Sequence, residues 1–240
     1  MNISGSGHIS AGEYNERISV SGSGKVTGNI RSVGFSCSGS AVCEGYLECT
    51  EDVKVSGSMK VEGDLTAEML KVSGALRVGG ECRVGEIKIS GSFKCEKSIK
   101  ATVIKCSGGL SAGGDVEAEE IRLAGGIRCS GLLNGETVEI HLGGGCQCGS
   151  IGGSNISVYA ENAGRVARMP LISRLIGRKC GLTVEESIEG DIIALEYTVS
   201  PTVVGRVVAI GEGCRIGLVQ YSESVEIHPN SVVERQEKIE

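Results

Sequence analysis

The sequence predicts an all-β fold, a parallel β-helix (β-solenoid) built from triangular coils of about 17 residues. Three observations predict it. Glycine returns at a nearly constant spacing, apolar residues alternate in phase with those glycines, and almost nothing aromatic is present to fill a wide core. Gly5, Gly22, Gly39, Gly57, Gly74, Gly91, Gly108 and Gly125 are 17 residues apart, with one step of 18, and all but Gly125 follow a serine. Trp is absent, Phe occurs twice, and glycine supplies 38 of 240 residues, more than twice its usual share. That composition suits coils whose interior is too thin for rings.

Aligning the units turns the repeat into columns. The first column holds Ile18, Phe35, Val53, Leu70, Ile87, Ile104, Ile121 and Val138, and two residues on stand Val20, Cys37, Val55, Val72, Ile89, Cys106, Leu123 and Ile140. A third column runs Val26, Cys43, Val61, Val78, Cys95, Ala112, Cys129 and Cys146, and a fourth runs Ile30, Leu47, Leu65, Cys82, Ile99, Val116 and Leu133. A spacing of two sends alternate side chains to the same face of a strand, and apolar pairs that start six residues apart predict three short strands per coil. Glycine falls after the first and second strands, where the chain must bend. A helical repeat fails on the same spacing, because helices need threes and fours.

The pattern defines a main solenoid over 1–158. Residues 159–181 lack it and form a basic insert. Within the insert Arg165, Arg168, Arg174, Arg178 and Lys179 surround Met169, Leu171, Ile172, Leu175 and Ile176, and Pro170 suits a first helical turn. The stretch predicts a short amphipathic helix able to dock on an anionic membrane surface or a partner, or to cap the solenoid. Strand-like positions return from Leu182, so 182–228 is expected as a second, shorter solenoid segment of about two looser coils. Residues 229–240 are expected as a charged, frayed tail.

Charge is uneven. Residues 1–158 carry 15 bases and 18 acids, 159–181 carry 5 and 1, and 182–240 carry 4 and 11, for a net −6. There is no domain-wide basic excess, which argues against a nucleic-acid partner. The 11 cysteines are odd in number, the first ten residues lack the basic-then-apolar form of a signal peptide, and no apolar stretch is long enough to span a membrane. These features lead us to expect a cytoplasmic location with reduced thiols.

The chemistry-bearing residues do not assemble into an enzyme. Cys37, Cys43, Cys49, Cys82, Cys95, Cys106 and Cys129 fall in inward columns, where thiols act as small hydrophobes. Cys146 and Cys148 near His141 form the best metal-ligand candidate, but the spacing is wrong for a closed tetrahedral set. The serines before the glycines are equivalent, which argues for hydroxyls bonding locally at bends and against one activated nucleophile. Gly22-Ser23-Gly24-Lys25 lacks the first glycine and the final Ser/Thr of a phosphate loop. Ile210-Gly211 to Ile216-Gly217 resembles a hexapeptide acyltransferase repeat, but the 17-residue unit breaks strict sixes and only His8, His141 and His228 are available. The reading implies no catalysis, no cofactor and no metal. Two outward columns are basic: Lys54, Lys71, Lys88, Lys105 and Arg122, and Lys25, Lys60, Arg77, Lys94 and Arg128. They point to a solvated face balanced by nearby acids, or else to an anionic partner.

The Val-Ser-Gly units after Tyr14-Asn15, the phrase Ile188-Glu-Gly-Asp191 leading to Leu195-Glu-Tyr-Thr198, and Ile210-Gly-Glu-Gly-Cys-Arg-Ile216 resemble the bactofilins, in particular their longer Gram-positive members. The resemblance covers almost the whole chain. It implies a right-handed β-helix that polymerises end to end without nucleotide, often at the membrane, and serves as a cytoskeletal scaffold for other scaffold or envelope proteins. It thus implies a peripheral position at the inner membrane and the chain itself as first partner. Unpaired coil edges are templates for pairing. No cap is visible at the N-terminal end, so Ile3, Ile9 and Ile18 there, and Ile216, Leu218 and Val219 at the other end, are the expected polymer interface. The alternative is a binding module whose insert caps the solenoid and prevents polymerisation.

Overall fold

The computed structural model describes residues 1–160 and 181–240. The chain divides into two compact units, Met1–Ala118 and Glu119–Glu240. The described residues form 21 strands and no helix, and the inter-strand ladders are parallel. Each unit is a β-solenoid, as the repeat predicts.

In the first unit the strands are β1 (Asn2–Ile3), β2 (Ser6–Val20), β3 (Ser23–Cys37), β4 (Ser40–Cys43), β5 (Leu47–Cys49), β6 (Asp52–Val55), β7 (Ser58–Val61), β8 (Leu65–Val72), β9 (Ala75–Val78), β10 (Cys82–Ile89), β11 (Ser92–Cys95), β12 (Ile99–Cys106) and β13 (Gly109–Ala112); β14 (Val116–Leu123) contains the division. Leu65, Cys82 and Ile99 stack in one register, as do Leu70, Ile87 and Ile104. These inward columns are fully buried, which accounts for the aliphatic composition. The three expected strands per coil become two in β8 to β13. The third and first run together as one eight-residue strand, because the alternation slips by one at Gly85 and Glu86, letting β10 bend without leaving the ladder.

The glycine ladder is a steric requirement. A Cβ on Gly39, Gly57, Gly74, Gly91 or Gly108 would overlap the carbonyl oxygen of the ladder glycine one coil earlier. None of these glycines has a positive φ, so the cause is close backbone approach and not conformational freedom. That approach lets the hydrogen bonds turn the corner: the Ser73 and Gly74 N–H groups donate to the Val55 carbonyl at 2.8 and 3.1 Å, and Ala75 N–H donates to Gly57 at 2.9 Å. The expected serine hydroxyl ladder is mostly not made. Only Ser21 and Ser107 donate, to Ile3 and Ile89 carbonyls, while Ser38, Ser56, Ser73 and Ser90 point to solvent. The main chain turns the corner, and the hydroxyl is incidental to it.

A second corner uses side chains on alternate coils. Asn29, Asp64 and Ser98 accept the N–H of Tyr46, Glu81 and Asp115, each 17 residues on, at 3.1, 2.8 and 3.2 Å. The single 18-residue step is also placed. Ser32 pairs Cys49 but Phe35 pairs Val53, so the extra residue lies between Cys49 and Val53. Arg17 is in register with Gly34, extends over it, and reaches Glu51 at 3.1 Å and also Asp52 beside the extra residue.

In the second unit β15 (Gly126–His141), β16 (Cys146–Tyr159), β17 (Leu182–Val184), β18 (Ser187–Leu195), β19 (Thr198–Ile210), β20 (Arg215–Ile227) and β21 (Val232–Lys238) stack in order. Val138, Ile156, Ile193, Val208 and Val225 form one column. Cys146 pairs Leu182 directly, and Val158 pairs Leu195. The ladder therefore passes from β16 to β17 and β18 without a break in pairing. Residues 229–240 differ from the expected frayed tail: β21 pairs with β20 from Arg215↔Val232 to Tyr221↔Lys238. Its charged residues Glu234, Arg235, Glu237 and Lys238 lie along an ordered strand.

Two outcomes follow. Gly74→Val should lower stability by about 1–3 kcal/mol through overpacking, whereas Ser73→Ala should change it by no more than about 0.5 kcal/mol; urea unfolding midpoints measure both. At Asp52, burial raises the carboxyl pKa, but hydrogen bonds from Arg17 and Lys54 outweigh it and hold the group below its ordinary 3.8. A lowered folded value stabilises fully above the unfolded value and loses that stability as pH falls through the folded one. Stability measured against pH should therefore fall less steeply below about pH 4 in Asp52→Asn than in the wild type.

Candidate functional site

The candidate sites are the solenoid edges and the charged faces. At the N-terminal edge of the first unit, β1 and the Ser6–Tyr14 part of β2 hydrogen-bond on one side only. Ile9 and Ile18 are fully buried there, and Ile3 is half-buried. Sequence reasoning missed a side-chain contact at this edge. Tyr14, in register with inward-facing Ser32, donates its hydroxyl to the Ser10 carbonyl at 2.8 Å, and its ring lies 3.8 Å from where a Cβ of Gly12 would stand. The Tyr14 side chain is half-buried. The signal was available in the sequence: Tyr14 occupies a column that holds Ser32, Cys49 and Ala67 in later coils.

The C-terminal edge of the second unit is built differently. Val208, Ile210 and Ile216 are buried, but their partners in the last layer, Val225, Ile227 and Val233, are not. Ile227 is 38% exposed and Val232 58%. Gln236 lies over Val219, and the outer edges of β21 and of Ser224–Ile227 have no strand beside them among the described residues. Of the expected interface residues, Ile216 and Val219 lie buried in the coil beneath and Leu218 is half-buried. The exposed aliphatics are Ile227, at the end of the expected second solenoid segment, and Val232, in the segment expected to be a tail. The docking residues Arg165, Arg168, Met169, Leu171, Ile172, Arg174, Leu175, Ile176, Arg178 and Lys179 lie outside the described residues.

Most members of both basic columns are ion-paired, and among the described residues Arg128 in the Lys25 column forms no ion pair. Lys25, Lys60, Arg77 and Lys94 each form an ion pair, with Glu44, Glu62, Glu96 and Glu96 respectively. In the other column Lys54 pairs Asp52, Lys88 pairs Glu86 and Arg122 pairs Glu120, but Lys71 and Lys105 form no ion pair.

The ten described cysteines are buried and unbridged, and burial raises the pKa of Cys37, Cys43, Cys49, Cys82, Cys95, Cys148 and Cys214, Cys49 to about 11 and Cys82 well above its ordinary value. Cys146 and Cys148 face inward, and among the described residues no three His, Cys, Asp or Glu side chains are arranged to hold a metal. His141 has an acid that the sequence did not reveal. Its Nε2 is 2.6 Å from Glu139, and its ring lies 5.8 Å from that of Tyr159. The signal was the i, i+2 spacing, which places both side chains on one face of a strand. No helix of the described residues is long and apolar enough to cross a membrane.

Thin coils, an aliphatic and thiol interior and exposed strand edges define a structural repeat protein of the β-solenoid class. A family model for bactofilins, described as polymer-forming cytoskeletal, matches residues 1–83. Over 239 residues, all of this chain and 97% of the relative, the sequence is 43% identical to the uncharacterized protein YhbF of Bacillus subtilis (strain 168). It is 34% identical over 111 residues to YhbE of the same organism, covering 46% of this chain and 44% of that one. No solved structure matches the chain. The chain belongs to the bactofilin family.

Because the described thiols are buried and held protonated, no more than one of the eleven cysteines should react within minutes with a disulfide reagent at neutral pH, and all eleven after denaturation. A spectrophotometric thiol titration checks both counts.

Proposed function

We propose that the chain is a self-assembling cytoskeletal scaffold that polymerises through its solenoid edges without nucleotide, localises partner proteins and carries out no catalysis. The observation that carries this reading is the C-terminal edge. There Val225, Ile227 and Val233 continue buried columns yet stay uncovered, beside strands with unused hydrogen-bonding groups. A second copy can supply both an apolar layer and a strand. Independence from nucleotide is supported by the Gly22–Lys25 stretch: Gly24 is buried in the ladder and Lys25 is paired with Glu44, so neither is offered to a phosphate. The bases and aliphatics of 165–179 support a docking role toward a membrane or partner protein, at the cytoplasmic side where free thiols persist.

Negative-stain electron microscopy of the purified chain, without nucleotide, should show filaments or sheets. Ile227→Asp combined with Val233→Asp should give monodisperse particles, with the unfolding midpoint lowered only slightly because both side chains are partly exposed. Wild-type protein that stays monodisperse across salt and concentration would refute the assembly reading.

A further inference from the structure

Residues 182–240 carry 11 acids and 4 bases, so a base in this segment has many acids to choose from. Of its three arginines, Arg206 pairs with Glu223 at 2.7 Å and Arg235 with Glu237 at 3.0 Å. Arg215 forms no ion pair among the described residues. Its place in the ladder gives the reason. Thr183, Val199, Arg215 and Val232 follow one another in register on successive coils of the second unit, about 4.8 Å apart, so Arg215 stands between two valines. Both valines face outward, Val199 45% and Val232 58% exposed. One coil below Thr183 the same column holds Gln147, which donates to Glu185 at 2.7 Å. The column thus passes from a hydrogen-bonded polar residue to an unpaired cation between bare aliphatics.

Val199, Arg215 and Val232 line a groove of about 470 Å³, together with Pro201, Gly217 and Glu234. Gly217 lies between Pro201 and Glu234 at the corner of the coils. It admits no side chain, because a Cβ there would stand 2.7 Å from the Pro201 carbonyl oxygen, so the corner between those two residues is bare main chain.

The lining selects its occupant. A guanidinium takes a carboxylate in two parallel hydrogen bonds. Val199, Val232 and Pro201 take an aliphatic group. Glu234 accepts a hydrogen bond and repels a second anion. A carboxylate, an aliphatic group and an N–H donor occur together at the end of a polypeptide that finishes in Val, Leu or Ile. A fatty acid lacks the donor. A single amino acid leaves most of the groove empty, since its volume suits a drug-sized ligand.

We propose that this groove binds the free C-terminus of a partner protein, with the α-carboxylate on Arg215, the last aliphatic side chain against Val199 and Val232, and a peptide N–H on Glu234. This deepens the partner-localising part of the proposed function and rests on that part alone. The groove is lined by outward residues, whereas the assembly reading uses the ends of the inward columns.

Fluorescence anisotropy with the full chain tests it, using fluorescein-labelled peptides Gly-Ser-Gly-Leu-X in which X is Val, Leu or Ile. The free acids should bind, and the same peptides with an amidated end should bind about tenfold or more weakly, the share of one charge-assisted hydrogen bond. Arg215→Gln should weaken the free acids by the same factor. Val199→Thr with Val232→Thr should weaken them at least about threefold through lost apolar contact. Arg206→Gln, which removes an arginine outside the groove, should change binding less than about twofold. All four side chains are exposed, so each variant keeps the fold. Electron microscopy of Arg215→Gln should show the same particles or polymers as wild type, whichever those are, which separates this surface from assembly. The proposal is overturned if none of the free acids binds, if amidated peptides bind as well, or if Arg215→Gln binds like wild type or loses binding only together with a change in assembly. It is equally overturned if Arg206→Gln weakens binding as much as Arg215→Gln, or if unlabelled decanoate or free leucine displaces the labelled peptides as readily as the unlabelled peptides do.

Discussion

Ala75 N–H reaches the Gly57 carbonyl at 2.9 Å because the residue between the serine and the next strand has no side chain. The same contact recurs where Ser40 meets Gly22, Ser58 meets Gly39, Ser92 meets Gly74 and Gly109 meets Gly91. An unpaired buried peptide group costs about as much as a lost hydrogen bond. A corner that interrupted the ladder once per coil would repeat that cost down the whole stack. Close approach of successive glycines removes it, and the thin coil, the small interior and the flat faces all follow.

A thin interior selects its own residues. Phe35 and Phe93 are each accommodated in separate coils, while most inward positions take Val, Ile, Leu or Cys. Cysteine is useful here for its size and its tolerance of burial. Several thiols also donate weakly to corner carbonyls, as Cys95 does to Gly80 at 3.2 Å and Cys214 to Leu195 at 3.3 Å. Raised thiol pKa values are therefore a by-product of packing and carry no sign of reactivity.

Because every coil repeats the same backbone, individuality is left to the outward residues and the edges. Tyr14 bonds back to Ser10 at one edge, while Val225, Ile227 and Val233 leave another open. Outward columns differ in whether each base meets an acid, and that is decided two residues along the strand or one coil away. A family that assembles through repeated geometry can in this way give separate tasks to edge and face without altering the core.

The spacing of two and of 17 determined the fold class, the inward columns and the cysteine environment, because side-chain alternation and coil length are local properties that a linear pattern records directly. The serine ladder misled for the same reason: a recurring hydroxyl in the sequence marks a position, and only the main chain showed which atoms bond there. Other features needed the coils to be stacked. Arg17 meets Asp52 across 35 residues, Cys146 pairs Leu182 across the intervening segment, and residues 232–238 become a strand because β20 offers them an edge. Those pairings depend on which residues fall beside one another after the chain has wound several times, and neither composition nor periodicity encodes that adjacency at the irregular coils.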